Sequence, residues 1–252
     1  MPSEENAVNG GEGDRGAYLS TAELRLAALI MDVAREMKRE VPAPRAAPYF
    51  GLDDDAAYDL TVLDSLSSPG IFRKYELVLL VRSGLGGMAR WLSRRLGCRI
   101  LGVDPDAPRT LAARKLNDAA GMANDVHFAA AAPRQLPFRA RVFTHVWMID
   151  PIPSERSPQA LQEAFRVLRR GAHFAAQVSA TDDVEGLQRA LAEVGFVDFR
   201  AGTVQIAPRN HTASSARIRL RGAATDRDVL GALDCRESSA PGACQQMFCR
   251  RP

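Results

Sequence analysis

Tyr75-Glu76-Leu77-Val78-Leu79-Leu80-Val81-Arg82-Ser83-Gly84-Leu85-Gly86-Gly87-Met88-Ala89-Arg90-Trp91-Leu92 is the stretch that decides the fold. Leu77 to Val81 is a short run without a polar residue, which suits a strand buried on both faces. The glycines of 84–87 follow. Met88, Trp91, Leu92 and Leu96 then fall at helical spacing. Strand, glycine turn and helix make the first half of a nucleotide-binding βαβ unit. Its glycines allow close backbone approach, and the helix N-terminus favours polar or anionic groups.

Working outward, Arg99-Ile100-Leu101-Gly102-Val103-Asp104 reads as the second strand and ends on a carboxylate. Asp104 stands about 20 residues beyond Gly84, where an acid is placed to accept hydrogen bonds from the two hydroxyls of a ribose.

The alternation continues. Ala107–Ala120 is a predicted helix ended by Gly121, Asp125–Ala130 a third strand and Val142–Ile149 a fourth. Ser157 caps a helix with Pro158 at its first position and Leu161, Ala164, Phe165 and Leu168 inward, stopped by Gly171. Ala172–Val178 is a fifth strand, Thr181 caps the next helix, and Phe196–Ile206 is a sixth strand. Strands alternating with helices imply a parallel, doubly wound sheet. Thr212–Ala223 and Asp226–Leu233 read as helices, and Gln245–Cys249 as a last strand.

These residues resemble a family. Val78-Leu79-Leu80-Val81-Arg82-Ser83-Gly84-Leu85-Gly86-Gly87, followed by Gly102-Val103-Asp104, looks like the class I S-adenosylmethionine-dependent methyltransferases, nearest their small-molecule, type 11-like branch. The resemblance implies a Rossmann-like, doubly wound seven-stranded α/β sheet whose last strand is antiparallel, with an N-terminal helical cap. It implies S-adenosyl-L-methionine as cofactor, held by Ser83, Gly84, Gly86, Gly87, Asp104 and Pro105. The family's loop reads V-L-D-V-G-C-G-x-G-G, so Leu80 replaces an acid and Arg82 a glycine. By alignment with Leu136-Pro137-Phe138, Ala132 replaces a second acid, and Thr144 a third. The expected activity is methylation of a small-molecule acceptor. The departures keep open a module without catalysis that binds a partner or ligand. A nicotinamide-dependent oxidoreductase fits less well, because Gly-x-Gly-x-x-Gly spacing is absent.

Asp150, at the end of the fourth strand, is the one weak candidate for a catalytic group. Asp150-Pro151-Ile152-Pro153 reads as a turn. His145 reads as a strand histidine, and His173 and His211 carry no partner pattern. Methyl transfer asks mainly for alignment, so an unmarked acid or base does not argue against it.

The chain has 252 residues and a formal net charge of +3. That length supports one catalytic-size domain. The expected division is a disordered tail over 1–18, the helical cap over 19–70 and the sheet domain over 71–252, with an enlarged connection at 207–243. The cap's first helix starts after Ser20 or Thr21 and carries Leu24, Leu26, Leu29, Ile30, Val33, Met37 and Val41. A lid, core packing and a homodimer contact are all open to it. Tyr49-Phe50-Gly51-Leu52-Asp53-Asp54-Asp55 resembles the segment bordering the active site in type 11 enzymes; its acids also suit a helix N-terminus. Ala56–Leu66 reads as a short helix.

So mild a charge, without a basic patch interleaved with aromatics, speaks against nucleic acid. The four cysteines, Cys98, Cys235, Cys244 and Cys249, lack CxxC spacing and paired histidines. Reduced thiols and no metal site are expected. With no signal pattern and no apolar run of about 18 residues, the expectation is a cytoplasmic protein without a membrane span.

Overall fold

The computed structural model describes residues 22–53, 63–67, 72, 75–149, 156–179, 182–206, 211–234 and 243–252. Ahead of the sheet come α1 (Ala22–Met37) and α2 (Leu63–Ser67). The sheet region then runs β1 (Leu77–Val81), α3 (Gly87–Leu96), β2 (Arg99–Asp104), α4 (Ala107–Ala119), β3 (Val126–Ala130), β4 (Phe143–Ile149), α5 (Pro158–Val167), β5 (Leu168–Ser179), α6 (Val184–Val194) and β6 (Val197–Gln205). The chain finishes with α7 (His211–Ala223), α8 (Arg227–Asp234) and β7 (Ala243–Arg250).

The strands form one seven-stranded sheet in the order β3-β2-β1-β4-β5-β7-β6. β1 lies parallel to β2 and β4, and β7 is inserted antiparallel to both β5 and β6. The order reverses direction between β1 and β4. In an open α/β sheet, the crevice at the carboxyl ends of two such strands is where ligands bind.

Period-two alternation divides the core between the two faces. Val78, Leu80, Ile100, Trp147 and Ala175 face α3, packing with Met88, Ala89, Trp91 and Leu92. Leu79, Val81, Val103, Val146, Met148 and Phe174 face the other side and meet Leu161 and Ala164 of α5 and Leu187 and Leu191 of α6. Each such side chain buried is worth about 1.5–3 kcal/mol.

Several boundaries shift from the sequence reading. α5 stops at Val167, and Leu168 is already extended at φ −69°, ψ 143°. Gly171, expected to end that helix, lies inside β5 at φ +74° and donates its N–H to Arg251 O. The cap of α6 is Asp183, whose carboxylate accepts from Gly186 N at 2.7 Å; Thr181 lies outside the described residues. α1 ends at Met37, so Val41 leaves the apolar stripe and is 38% exposed. The tail, the cap candidates Ser20 and Thr21, residues 56–62 of the expected short helix and Cys235 also lie outside the described residues.

A third apolar cluster sits beside the sheet. Leu24, Leu26, Ile30, Val33 and Met37 of α1 pack with Ala216 and Leu220 of α7 and Val229 and Leu233 of α8. The same cluster takes in Tyr49, Phe50 and Leu52, Ala112 and Leu116 of α4, and Leu85 of the glycine loop. Ion pairs cross its rim: Arg25 with Asp226 at 2.8 Å and Arg219 with Glu40 at 2.6 Å. Exposed pairs of this kind add up to about 1 kcal/mol each; the apolar faces do most of the joining. Two pieces far apart in sequence, before β1 and after β6, thus make one helical body against the glycine loop.

Candidate cofactor site at the glycine loop

β1 ends at Val81 and the backbone turns at once. Arg82 takes φ +61°, Gly84 +55° and Gly86 +85°. At Arg82 the chain keeps the left-handed conformation that a glycine adopts freely, at a strain of about 1–3 kcal/mol for another residue. Ser83 N–H donates to Val103 O and Gly86 N–H to Ser83 O, each at 2.9 Å, which ties the turn to β2 and to itself.

Asp104, 2% exposed, holds the loop from the end of β2. One carboxylate oxygen accepts from Gly84 N at 3.0 Å and the other from Asp106 N at 3.0 Å. Pro105 follows on the surface, and Asp106 caps α4 by accepting from Arg109 N at 2.9 Å. The structure therefore brings Ser83, Gly84, Gly86, Gly87 and Asp104 together at one end of the sheet, with Pro105 beside them. Asp150 lies outside the described residues.

Two glycines have steric reasons of their own. A Cβ on Gly86 would come within 2.3 Å of the Phe128 ring. One on Gly102 would meet Ser83 Cβ at 2.6 Å and Phe128 at 2.7 Å. Phe128, on the neighbouring β3, fills the space beneath the loop, and only glycine lets strand and loop approach it so closely.

The three departures differ in place. Leu80 is completely buried among Trp91, Trp147 and Ile100, as a core residue. Ala132 is half-buried in the turn after β3, where its carbonyl accepts from Gln135 N at 3.0 Å. Thr144 stands at the opposite, amino end of the strands. Its hydroxyl accepts from Leu77 N at 3.0 Å and donates to Leu77 O at 3.1 Å. Thr144 thus pairs β4 to β1, away from the crevice.

The sequence reading missed Arg90. Its side chain is 0% exposed and forms an ion pair with Asp53, itself 2% exposed, at 2.8 Å. Asp53 is thus the partner of a buried guanidinium rather than a solvated helix-end charge. Its backbone carbonyl also accepts from Gly87 N at 2.9 Å, at the start of a helix that lacks a side-chain cap. Tyr49, four residues earlier, donates its hydroxyl to Leu116 O at 2.6 Å, and burial pushes the phenol up to about 12. The available signal was an arginine one residue from Trp91 and two from Met88 on a predicted buried helix face.

At the far end of the strands, His145 is 4% exposed and stacks on Phe72 with centroids 4.4 Å apart, and near His173 at 5.6 Å. Burial, with His173 second, pushes its pKa down to about 4. Thr144 already donates to Leu77 O, so it accepts from His145 Nδ1–H at 3.1 Å, and Nε2 is left as a buried acceptor with no partner among the described residues. A cavity of about 370 Å³ lies here, bordered by Glu76, Arg169 and Arg170 as well as both histidines. Cys98, Cys244 and Cys249 are buried and form no disulfide among the described residues; burial raises the Cys98 thiol to about 12 and Cys249 further. Among the described residues no cluster of His, Cys, Asp and Glu has metal-ligand geometry, and no helix is long and apolar enough to cross a membrane.

Residues 78–171, from β1 into β5, match the methyltransferase domain family. Over that stretch the chain is similar to methyltransferase domains. Sarcosine/dimethylglycine N-methyltransferase of Halorhodospira halochloris is 32% identical over 98 residues, 38% of this chain and 35% of that protein. Methyltransferase GfsG of Streptomyces halstedii is 30% identical over 121 residues, 47% of this chain and 43% of that protein. The match thus spans less than half the length of either curated relative. Among solved structures, Haemonchus contortus phosphoethanolamine N-methyltransferase 2 in complex with S-adenosyl-L-methionine superposes with a TM-score of 0.60 at 15% identity, over 87% of this chain and 60% of that one. Likeness at that identity speaks to the fold alone: a Rossmann-like seven-stranded sheet with flanking helices.

Proposed function

We propose that this chain is an S-adenosylmethionine-dependent methyltransferase acting on a small-molecule acceptor. The observation that carries the reading is Asp104. A buried carboxylate ends β2, bonded to the N–H of Gly84 in a loop with left-handed glycines, at the strand crevice where the family match begins.

The residues present fit the cofactor in most respects. Asp104, a carboxylate at the end of β2, is the group to which the proposal gives the ribose diol. Ser83, Gly84, Gly86 and Gly87 hold the loop in shape, their N–H groups bonded to Val103 O, Asp104, Ser83 O and Asp53 O, and Pro105 follows at the exposed ribose end. Leu80 and Ala132 offer no carboxylate, which leaves the methionine and adenine ends to other groups. When bound, the cofactor supplies a methyl group already activated on sulfonium. The work left to the protein is to align an acceptor with it and to exclude water. The body formed by α1, α7, α8 and residues 49–53 supports the second task, since it packs onto Leu85 of the loop. A cytoplasmic setting belongs to the same proposal and is supported by the buried cysteines, which form no disulfide among the described residues. The apolar stripe of α1 is buried within the chain, so a homodimer would use another surface.

Calorimetric titration with S-adenosylmethionine and S-adenosylhomocysteine tests the reading. Micromolar binding is expected, weakened at least about tenfold by Asp104→Ala, since hydrogen bonds to a charged group are worth about 1.5–3 kcal/mol. Methyl transfer from labelled cofactor to a panel of small amines, acids and phenols follows. Absence of binding at millimolar ligand would overturn the proposal.

A further inference from the structure

Arg90 is the most deeply buried charge among the described residues, and its bonds run in three directions. Nε donates to Asp53 Oδ2 at 2.9 Å, with Nη2 2.8 Å from the same oxygen. Nη1 donates to Ala113 O of α4 at 3.2 Å, and Nη2 donates to Leu85 O inside the glycine loop. The Tyr49 and Phe128 rings lie 5.7 and 5.8 Å from the guanidinium carbon. One side chain thus joins the loop, the second helix of the sheet domain and the segment leading from α1.

The bond to Leu85 O has a steric consequence. In a trans peptide the carbonyl and the next N–H point in opposite directions. Drawing Leu85 O toward Arg90 turns Gly86 N–H toward Ser83 O, the bond that closes the loop. Asp53 acts on the next peptide, since its carbonyl takes Gly87 N–H. Burying two charges carries a large desolvation cost, and apolar residues of similar volume hold a core at least as well. What apolar residues lack is direction. A planar guanidinium specifies where Leu85 O and Asp53 sit.

We propose that Arg90 and Asp53 are positioning residues for cofactor binding: their ion pair sets the Leu85–Gly86 peptide and fastens residues 49–53 to the loop, so loop shape and cap closure form one equilibrium. The inference rests on the cofactor reading above for its affinity consequence, and on the geometry alone for the coupling of cap to loop.

The test compares native protein with Arg90→Met/Asp53→Leu, an apolar replacement of both charges, and with Arg90→Lys, which keeps the charge but not the fork. Melting temperature, calorimetric affinity for S-adenosylhomocysteine and amide exchange of peptides spanning 22–53 and 83–90 are measured. The double variant is expected to melt within a few degrees of native, bind at least about tenfold more weakly, and exchange faster in both peptides together. Arg90→Lys should fall between the two, a graded rescue that a packing role would not produce. A folded double variant with native affinity and native exchange would overturn the proposal. If the double variant does not fold, Arg90→Lys decides alone: native affinity and exchange there overturn it. If native protein binds no S-adenosylhomocysteine, the cofactor reading fails, while the exchange of the ligand-free variants still decides the coupling.

Discussion

Arg82 shows how a single residue can conflict with its backbone. Its φ of +61° is glycine's conformation, retained although the side chain is long and cationic. Arg82→Gly should therefore raise stability by about 0.5–1 kcal/mol, after allowing for the extra freedom glycine gives the unfolded chain. The urea midpoint at constant slope measures it. His145 makes the second prediction at this scale. Its folded pKa is held near 4 by burial and by His173, against about 6.5 in an unfolded chain. The unfolded state binds the proton more readily, so the stabilising contribution is complete above about pH 6.5 and is lost as pH falls through 4. The loss is at most roughly 3 kcal/mol. Urea midpoints between pH 7 and 4 should fall, and His145→Phe should flatten the slope in that window. An unchanged slope would show that other groups set the acid limit.

Among elements, β2, β3 and the glycine loop meet closely. Gly102 on β2 faces Phe128 on β3 and Ser83 in the loop, and a Cβ there would lie 2.6–2.7 Å from both. Gly102→Ala should cost about 1–3 kcal/mol by overpacking. Adding Phe128→Leu should return part of that loss, because it frees the space the new methyl needs. Equal melting temperatures for the single and double variants would refute the account. The helices obey simpler local rules. Ser157 caps α5 with Pro158 behind it, as the sequence implies, because a cap needs only its own few residues. The misassigned stop of α5 and the cap of α6 have a physical origin too. Gly171 is a helix terminator in isolation, but the C-terminal Arg251 draws it into the strand.

For the molecule as a whole, the cap is the feature that matters. α1, α7 and α8 share one apolar cluster with Tyr49, Phe50 and Leu85. Leu220→Ala, at a position 1% exposed in α7, should cost about 2–5 kcal/mol. It should speed amide exchange in α1 and α7 together, although more than 170 residues separate Leu220 from Met37 in sequence. Faster exchange confined to α7 would mean that the two pieces are not one body. The same cluster packs on Leu85 of the glycine loop, so loosening it should be felt there as well.

The sequence by itself determined the alternating core, the order of strands and helices, the glycine turn and the terminal Asp104. Each follows from periodicity, local capping or a fixed spacing along the chain. The tertiary structure alone decided the rest. It separated Leu80 in the core and Ala132 in a turn from Thr144, which lies at the other end of the strands, because position along a strand relative to the crevice appears only once the strands are paired. It also put Arg90 beside Asp53, a pair 37 residues apart, and α1 beside α7 and α8. Such pairings depend on which apolar faces meet in three dimensions and on the absence of water between two charges. Neither is written in the spacing of residues along one chain.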